Sequence, residues 1–379
     1  MKLTIVGGGA SGLMLASVLK TLKANIDIEI LERYEHVGKK LLMTGNGKCN
    51  LSNLNITKQA YNNELGYNIA SCFDAVSYFS SLGLLTYSDD QGRVYPFSNV
   101  ANSVLDVLRE SLDSVSIVNG SNVIRIIKSQ DKYKLTTDKA KVFETDMLVL
   151  ATGGKTYYKD SNGYILSSML SHRVSTLRPT LSSLKVAENL ASIENLRSKV
   201  KATLYANNKV VYEDEGEVLY KKDALSGIVI FQLSSIIARK PLERYSIELD
   251  LMPSYSQEEI AQFIENHPSL TGLFPKMIMQ YILKKANSND PLVIASTIKH
   301  LRFNVLENMD YKNAQVTAGG VMISEVDENL SSKFNKDLYI IGELLDVDGI
   351  CGGYNLHFAF ASAYKVALDI INKVGVKDE

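Results

Sequence analysis

The stretch "LTIVGGGASGLMLASVL", residues 3–19, constrains the fold of this chain more than any other. Residues 3–6 predict a buried strand, Gly7 to Gly12 a turn, and the apolar run after it a helix; "IDIEILE" then predicts a second strand. The first 32 residues therefore read as one β-α-β unit. Gly7, Gly9 and Gly12 satisfy G-x-G-x-x-G, a spacing that allows a tight turn, open backbone approach to a pyrophosphate, and close helix–strand packing. Ala10 and Ser11 open the helix, whose free N–H groups and dipole favour an anion there. Glu32 ends the second strand, 25 residues after Gly7, where a carboxylate can accept hydrogen bonds from ribose hydroxyls; Arg33 follows it. Strand, turn, helix, strand and terminal acid occur in the order a dinucleotide requires. The bland alternative is a glycine-rich turn without a ligand.

The rest of the composition narrows the partners. With 41 Lys and Arg against 42 Asp and Glu, the chain carries no net field to concentrate nucleic acid or an anionic membrane surface, so neither is expected. Three cysteines, Cys49, Cys72 and Cys351, are odd in number and widely spaced, which suits neither a disulfide framework nor a metal site and points to a reducing cytoplasm. The four apolar residues before Gly7 are too few for a signal-peptide core. "GIVIFQLSSIIA", from Gly227, is the nearest approach to a membrane span; Gln232, Ser234 and Ser235 interrupt it, and it reads as buried soluble structure.

Further along, "TDMLVLATGG" and "KDLYIIGELLD" read as two more buried strands of the same parallel sheet. Between them, residues 180–252 alternate in short segments and predict an antiparallel barrel or sheet. From Ser256 to about Asn308 the pattern turns helical, in "QEEIAQFIENH", "LFPKMIMQYILKKA" and "PLVIASTIKHLRFNVL". The expected organisation is an α/β dinucleotide-binding Rossmann domain in two parts, residues 1–180 and 313–379. An inserted β-barrel over 181–252 and a small helical subdomain over 253–312 separate them.

FAD is preferred over NAD because a late segment also looks built for the cofactor. "IIGELLDVDGICGGYNLHFAFASAYKVALDII" reads as strand, glycine loop and long apolar helix. The backbone donors of Gly352, Gly353, Tyr354 and Asn355 would then sit at a helix N-terminus, which stabilises negative charge such as that on a reduced flavin's N1 and C2 oxygen. An ordinary core helix is the competing reading.

These segments carry a resemblance. "GKKLLMTGNGKCNLSN" (38–53), "GRVYPFS" from Gly92, "VLATGGKTY" from Val149, "AQVTAGGV" from Ala314 and "GELLDVDGICGGYNL" from Gly342 together resemble the HI0933-like bacterial flavoprotein family, which includes aminoacetone oxidase and a bile-acid reductase. The resemblance covers nearly the whole chain. It implies a glutathione-reductase-type FAD domain with an inserted barrel and helical subdomain, and a substrate reaching the flavin between modules. It also implies that Thr44, Gly45, Asn46, Gly47, Lys48, Cys49 and Asn50 line the FAD, with Lys40 and Leu41 leading into that loop. Gly342, Glu343 and Asp346 are implied near the ribityl and pyrophosphate, and Val123, Ala151, Thr152, Gly153 and Leu356 complete the implied cofactor set. Glycine and asparagine suit a loop of positive φ that offers backbone donors.

The chain also departs from the family pattern. Tyr158 stands where relatives often have proline, Lys221 and Lys222 where a Thr-His pair is common, and His357 where glutamine is frequent. Tyr157, Tyr158, Arg93, Lys221, Lys222 and His357 are candidate polar groups for substrate, though each also reads as an ordinary surface or core residue; no catalytic acid or base can be named. Cys49 reads as packing rather than as a redox thiol, because no resolving cysteine lies close in sequence.

The leading reading is an FAD-dependent oxidoreductase that moves hydride at flavin N5 to or from a small molecule, as a reductase or an amine-type oxidase. One G-x-G-x-x-G leaves no second module for resident NAD(P)H, so a nicotinamide donor would visit transiently. The alternatives are a flavin-dependent tRNA-modifying protein, which wants a broad basic face, and a non-catalytic flavin-binding redox sensor.

Overall fold

The computed structural model describes residues 1–156, 161–241, 243–308 and 310–377. The chain divides into two compact units, Met1–Arg178 with Val316–Glu379, and Pro179–Gln315.

In the first unit a five-stranded sheet runs in the order Leu338–Ile340, Met147–Leu150, Lys2–Val6, Asp27–Leu31, Ser116–Val118, and every pairing is parallel. Parallel strands are covered on both faces and so are written as unbroken apolar runs. Leu3, Ile5, Leu148, Val149 and Ile340 are fully buried, each contributing about 2 kcal/mol by leaving water. Both later strands thus join the sheet opened by the first residues, as their sequences predict. Helix Ala10–Thr21 leaves the first strand through the glycine turn and packs against the long helix Tyr354–Val374. A three-stranded meander, Val123–Ser129, Lys132–Thr137 and Val142–Thr145, lies in the same unit. So does a small antiparallel sheet of Ser52–Asn53, Arg93–Pro96 and Thr86–Ser88.

The second unit is a closed antiparallel barrel with helices. Its strands run Leu184–Val186, Ala224–Ser226, Lys209–Lys221, Arg197–Ala206, Tyr245–Asp250 and Leu301–Asn308, and the last pairs with the first. The expectation of helix through about Asn308 is corrected here. The helix is Pro291–Lys299 and the chain continues as a strand. Buried Leu301 and Phe303 alternate with exposed Arg302 and Asn304, a period of two that the apolar content of "LRFNVL" conceals. The other helices form where the sequence places them. Ser256 and Glu259 make a reciprocal capping box ahead of Gln257–Asn266, and Asp290 caps Pro291–Lys299 with proline at its start. "GIVIFQLSSIIA" becomes helix Ile228–Arg239, with the Ser234 hydroxyl accepting from the Ser182 N–H at 3.0 Å. Among the described residues no helix is long and apolar enough to cross a membrane.

Candidate cofactor site

The three motif glycines of the first unit serve different needs. Gly7 has φ +112°, and a Cβ there would lie 2.5 Å from the Ala151 carbonyl oxygen, so glycine lets the turn lie against the end of the neighbouring strand. A Cβ on Gly12 would collide with the Gly7 carbonyl, which makes Gly12 the close-packing position between helix and strand. Gly9 is the opposite case: nothing lies within 4 Å of its would-be Cβ. It is also the N-cap of helix Ala10–Thr21; among the described residues no side-chain cap bonds the first N–H groups, and no acidic residue sits in the first turn. A helix end left bare in this way suits an anion from outside the chain.

Glu32 is held rather than free to swing. One carboxylate oxygen accepts from the Gly8 N–H at 2.8 Å and the other from the Tyr34 N–H at 2.9 Å. Burial pushes its carboxyl pKa up, and those two backbone N–H groups pull part of the way back. Each oxygen keeps a further lone pair for a ribose hydroxyl.

Residues far downstream return to this turn. Gly342, φ +67°, follows the strand Leu338–Ile340; its N–H donates to the Ser362 hydroxyl at 3.0 Å, and a Cβ there would come within 2.7 Å of the Ser11 hydroxyl. Glu343 clasps two other segments: Oε2 accepts from the Gly154 N–H at 3.2 Å and Oε1 from the Thr317 N–H at 2.9 Å. The Thr317 hydroxyl in turn accepts from the Lys155 N–H at 2.8 Å. Lys40 joins the clasp, donating to the Gly154 carbonyl at 2.8 Å with its ammonium 3.7 Å from Glu343. The carboxylate of Asp346 accepts from the Ser175 hydroxyl at 2.7 Å.

The loop after Leu41 carries the backbone its composition predicts, with positive φ at Gly45, Asn46, Gly47 and Cys49. Gly47 has open space where a Cβ would be, and Gly153, φ +69°, has nothing nearer than 3.8 Å. Thr44 turns inward to donate to the Leu41 carbonyl at 2.7 Å, while Lys48 is exposed. Cys49 is fully buried and burial pushes its thiol to about 12; the less buried Cys351 thiol is pushed to about 11. Neither thiol ionises at neutral pH, which supports packing over redox chemistry.

The same loop is tied to the start of helix Tyr354–Val374. Asn50, with its amide nitrogen donating to the carbonyls of Ser52 (2.9 Å) and Val94 (3.2 Å), accepts from the Gly353 N–H at 3.1 Å. Asn53 donates to the Gly352 carbonyl at 2.9 Å. Tyr354 donates to the Asn55 carbonyl at 3.2 Å, and the Asn355 amide exchanges two 2.8 Å bonds with the backbone of Gly349.

His357, a candidate for substrate contact, is instead a buried bolt in this arrangement. Its Nε2 lies 2.9 Å from the Ala70 carbonyl, which can only accept; Nε2 therefore carries the proton, and Nδ1 accepts from the Ser52 hydroxyl at 2.8 Å. Burial lowers its pKa, against smaller upward pulls from the Ala70 carbonyl and Asp74. A depressed pKa means stability that is complete above the unfolded value of about 6.5 and is lost as pH falls through the folded one. Thermal melts should accordingly show His357→Ala losing about 2–3 kcal/mol at pH 7.5. His357→Gln, which offers one donor and one acceptor, should keep most of that and melt with a weaker fall between pH 7 and pH 5 than the parent.

Lys221, in the second unit, donates to the Ser183 hydroxyl at 3.0 Å, and Lys222 is exposed. Arg93 pairs with Asp89 at 2.7 Å. Tyr157 and Tyr158 lie outside the described residues. Val123, Leu41 and Ala151 are buried, Leu356 is half-buried, and the buried Thr152 hydroxyl has no hydrogen-bond partner among the described residues. Several residues of the arrangement are absent from the sequence-based set, among them Gly8, Ser52, Asn53, Gly154, Thr317 and Ser362. Ser362 had a signal, a lone hydroxyl in an apolar helix, and Thr317 lies inside "AQVTAGGV".

A bare helix N-terminus, a carboxylate fixed beside it, and glycines with open sides at 9, 47 and 153 all fit a dinucleotide such as FAD.

The family model described as the HI0933-like protein Rossmann domain matches residues 1–369. A 3-dehydro-bile acid delta(4,6)-reductase of Clostridium scindens is 33% identical over 96% of this chain and 97% of its own. A ribosomal RNA dihydrouridine synthase of Haemophilus influenzae is 26% identical, covering 97% of each. Among solved structures, the 3-ketosteroid delta1-dehydrogenase of Sterolibacterium denitrificans superposes with a TM-score of 0.51 at 10% identity, over 98% of this chain and 99% of that one, a likeness of fold.

Proposed function

The chain belongs to the HI0933-like family of FAD-dependent oxidoreductases, and from that premise we propose that it reduces a carbon–carbon double bond conjugated to a carbonyl in a small molecule. The names of the two relatives support this, since a 3-oxo-4,6-diene and the 5,6 bond of uridine are both such bonds. The observation that carries the cofactor half of the reading is the return of Gly342 onto Ser11, which brings a second glycine loop against the turn that opens the chain.

When bound, FAD supplies hydride transfer at N5. The protein's part is to hold it. N–H groups at Gly9 to Ser11 would meet the pyrophosphate, Glu32 the ribose, and the loop 44–50 with Gly352 to Asn355 the flavin end. There the helix N-terminus would favour negative charge. In the net reaction a transiently visiting NAD(P)H supplies the hydride that reaches the β-carbon and one proton is taken up from solvent at the α-carbon, so NAD(P)H, H+ and the enone become NAD(P)+ and the saturated carbonyl compound. The cytoplasm, where NAD(P)H is found and thiols stay reduced, is the compartment this reading favours.

The test is anaerobic. Holoprotein titrated with NADH and then NADPH should lose its flavin absorbance with one of them, and an added enone such as 2-cyclohexen-1-one should restore it. Bleaching by an amine but by neither nicotinamide would replace this reading with the oxidase one. A second reading, reduction of uridine within RNA, rests on the dihydrouridine synthase relative. It predicts tight, salt-sensitive RNA binding, which a net charge of −1 disfavours.

A further inference from the structure

The small antiparallel sheet of the first unit turns one strongly apolar face to solvent. Alternation along Arg93–Pro96 sends Val94 and Pro96 inward and Arg93, Tyr95 and Phe97 outward; Tyr87 stands directly opposite Tyr95 in the register. Phe97 is 70% exposed, Leu85 72% and Tyr87 37%. The Tyr87 and Tyr95 rings stack with centroids 5.8 Å apart and planes at 25°, and Phe97 stands at 88° to Tyr87, 6.4 Å away. Together they make a flat floor with an upright wall. Burial of these rings would be worth far more than their exposure, so a face like this marks a contact site.

Position and charge indicate what it contacts. The floor ends at Arg93, which stands opposite Asn53 in the register; Asn53 donates to the Gly352 carbonyl at 2.9 Å, and Cys351 immediately precedes the Gly352–Gly353 pair held by Asn53 and Asn50. The strip thus runs up to the segment assigned above to the flavin end. At about 3.3 Å per residue, Arg93 to Phe97 spans about 13 Å, longer than one six-membered ring requires. Its charged pair, Asp89 and Arg93, is closed on itself at 2.7 Å, so nothing on the strip attracts a polyanion such as RNA.

We propose that the Leu85–Tyr87–Tyr95–Phe97 face is the recognition strip for an elongated, flat, fused-ring apolar substrate, which lies along it with its reducible end toward Cys351. This deepens the proposed function and rests on it for the identity of the site. Aromatic floors bind such ring systems by stacking and area burial.

Holoprotein and the double variant Tyr87→Ser/Phe97→Ser are compared by equilibrium dialysis with androst-4-ene-3,17-dione, and by kcat/KM for that compound and for 2-cyclohexen-1-one. Both substitutions are at exposed positions, and retention of the flavin spectrum confirms the fold. The expected result is at least a tenfold loss of steroid binding and a tenfold fall in the ratio of the two kcat/KM values. Unchanged steroid binding in the variant overturns the proposal. So does a parent protein that sediments with phosphatidylcholine vesicles, or dimerises, through this face while failing to bind the steroid. If steroid binding falls as expected but neither enone is reduced, the strip stands and the enone-reductase reading falls.

Discussion

Gly9→Val should leave the apoprotein as stable as the parent yet bind FAD at least tenfold more weakly, whereas Gly12→Val should unfold readily with or without the cofactor. The two glycines lie three residues apart in one motif, and only their surroundings distinguish them. A side chain at Gly9 enters open space at a φ of −85°, where an L-residue is comfortable, so urea melts of the apoprotein should move by no more than about 0.5 kcal/mol. That same space is where a pyrophosphate must approach the N–H groups, and a tenfold loss corresponds to about 1.4 kcal/mol. At Gly12 the new Cβ meets a backbone carbonyl that cannot move without displacing the first strand, and the cost should reach about 4 kcal/mol. Fluorescence titration with FAD and urea melts of both variants check the contrast. Equal destabilisation of the two would mean that Gly9 is a packing residue and that its helix end is not a ligand site.

Glu343→Ala should be the most damaging single change outside the glycine turn, at about 2–4 kcal/mol in a thermal or urea melt. The carboxylate holds the N–H groups of Gly154 and Thr317 on its two oxygens and lies beside the Lys40 ammonium, so its loss removes the acceptor of two donors and the counter-charge of a cation at once. Glu343→Gln should recover part of this, because its single carbonyl can serve only one of the two N–H groups. Its amide nitrogen would face the other. Added FAD should not restore the parental melting point of the alanine variant if the clasp acts on the fold itself. Full rescue by FAD would show that Glu343 acts mainly through the cofactor.

What the sequence made legible follows from range. The opening β-α-β unit is legible because its evidence is local: unbroken apolar runs, fixed glycine spacing and a terminal acid within 32 residues. The later strands Met147–Leu150 and Leu338–Ile340 are legible by the same apolar signature. The loop 44–50 needed a resemblance, since "TGNGKCN" by itself is only a turn; its positive φ values are local, but what they face is not. The clasp of Glu343 on Gly154 and the bond of Ser52 to His357 join residues 189 and 305 positions apart, which no periodicity reports. His357 stayed open for that reason: an ionisable group near a glycine loop reads as chemistry or as core until its two buried partners are seen. Leu301–Asn308 misled, because a short strand that follows a helix without a glycine or proline break can satisfy both periods.

The parallel order of the central sheet has a consequence for how the protein is made. Leu338–Ile340 pairs with Met147–Leu150, and the barrel unit is encoded between them. On the ribosome the first unit must therefore wait with an open sheet edge while Pro179–Gln315 is synthesised, and that unit has its own core and a closed barrel on which to fold at once. The helix that begins at Tyr354 emerges later still, so the nascent chain can complete a site for FAD only after that helix has been made. Newly made protein should pass through a cofactor-free state whose exposed edge is its main aggregation hazard. Riboflavin supply would then set the yield of soluble protein before it affects any measured rate.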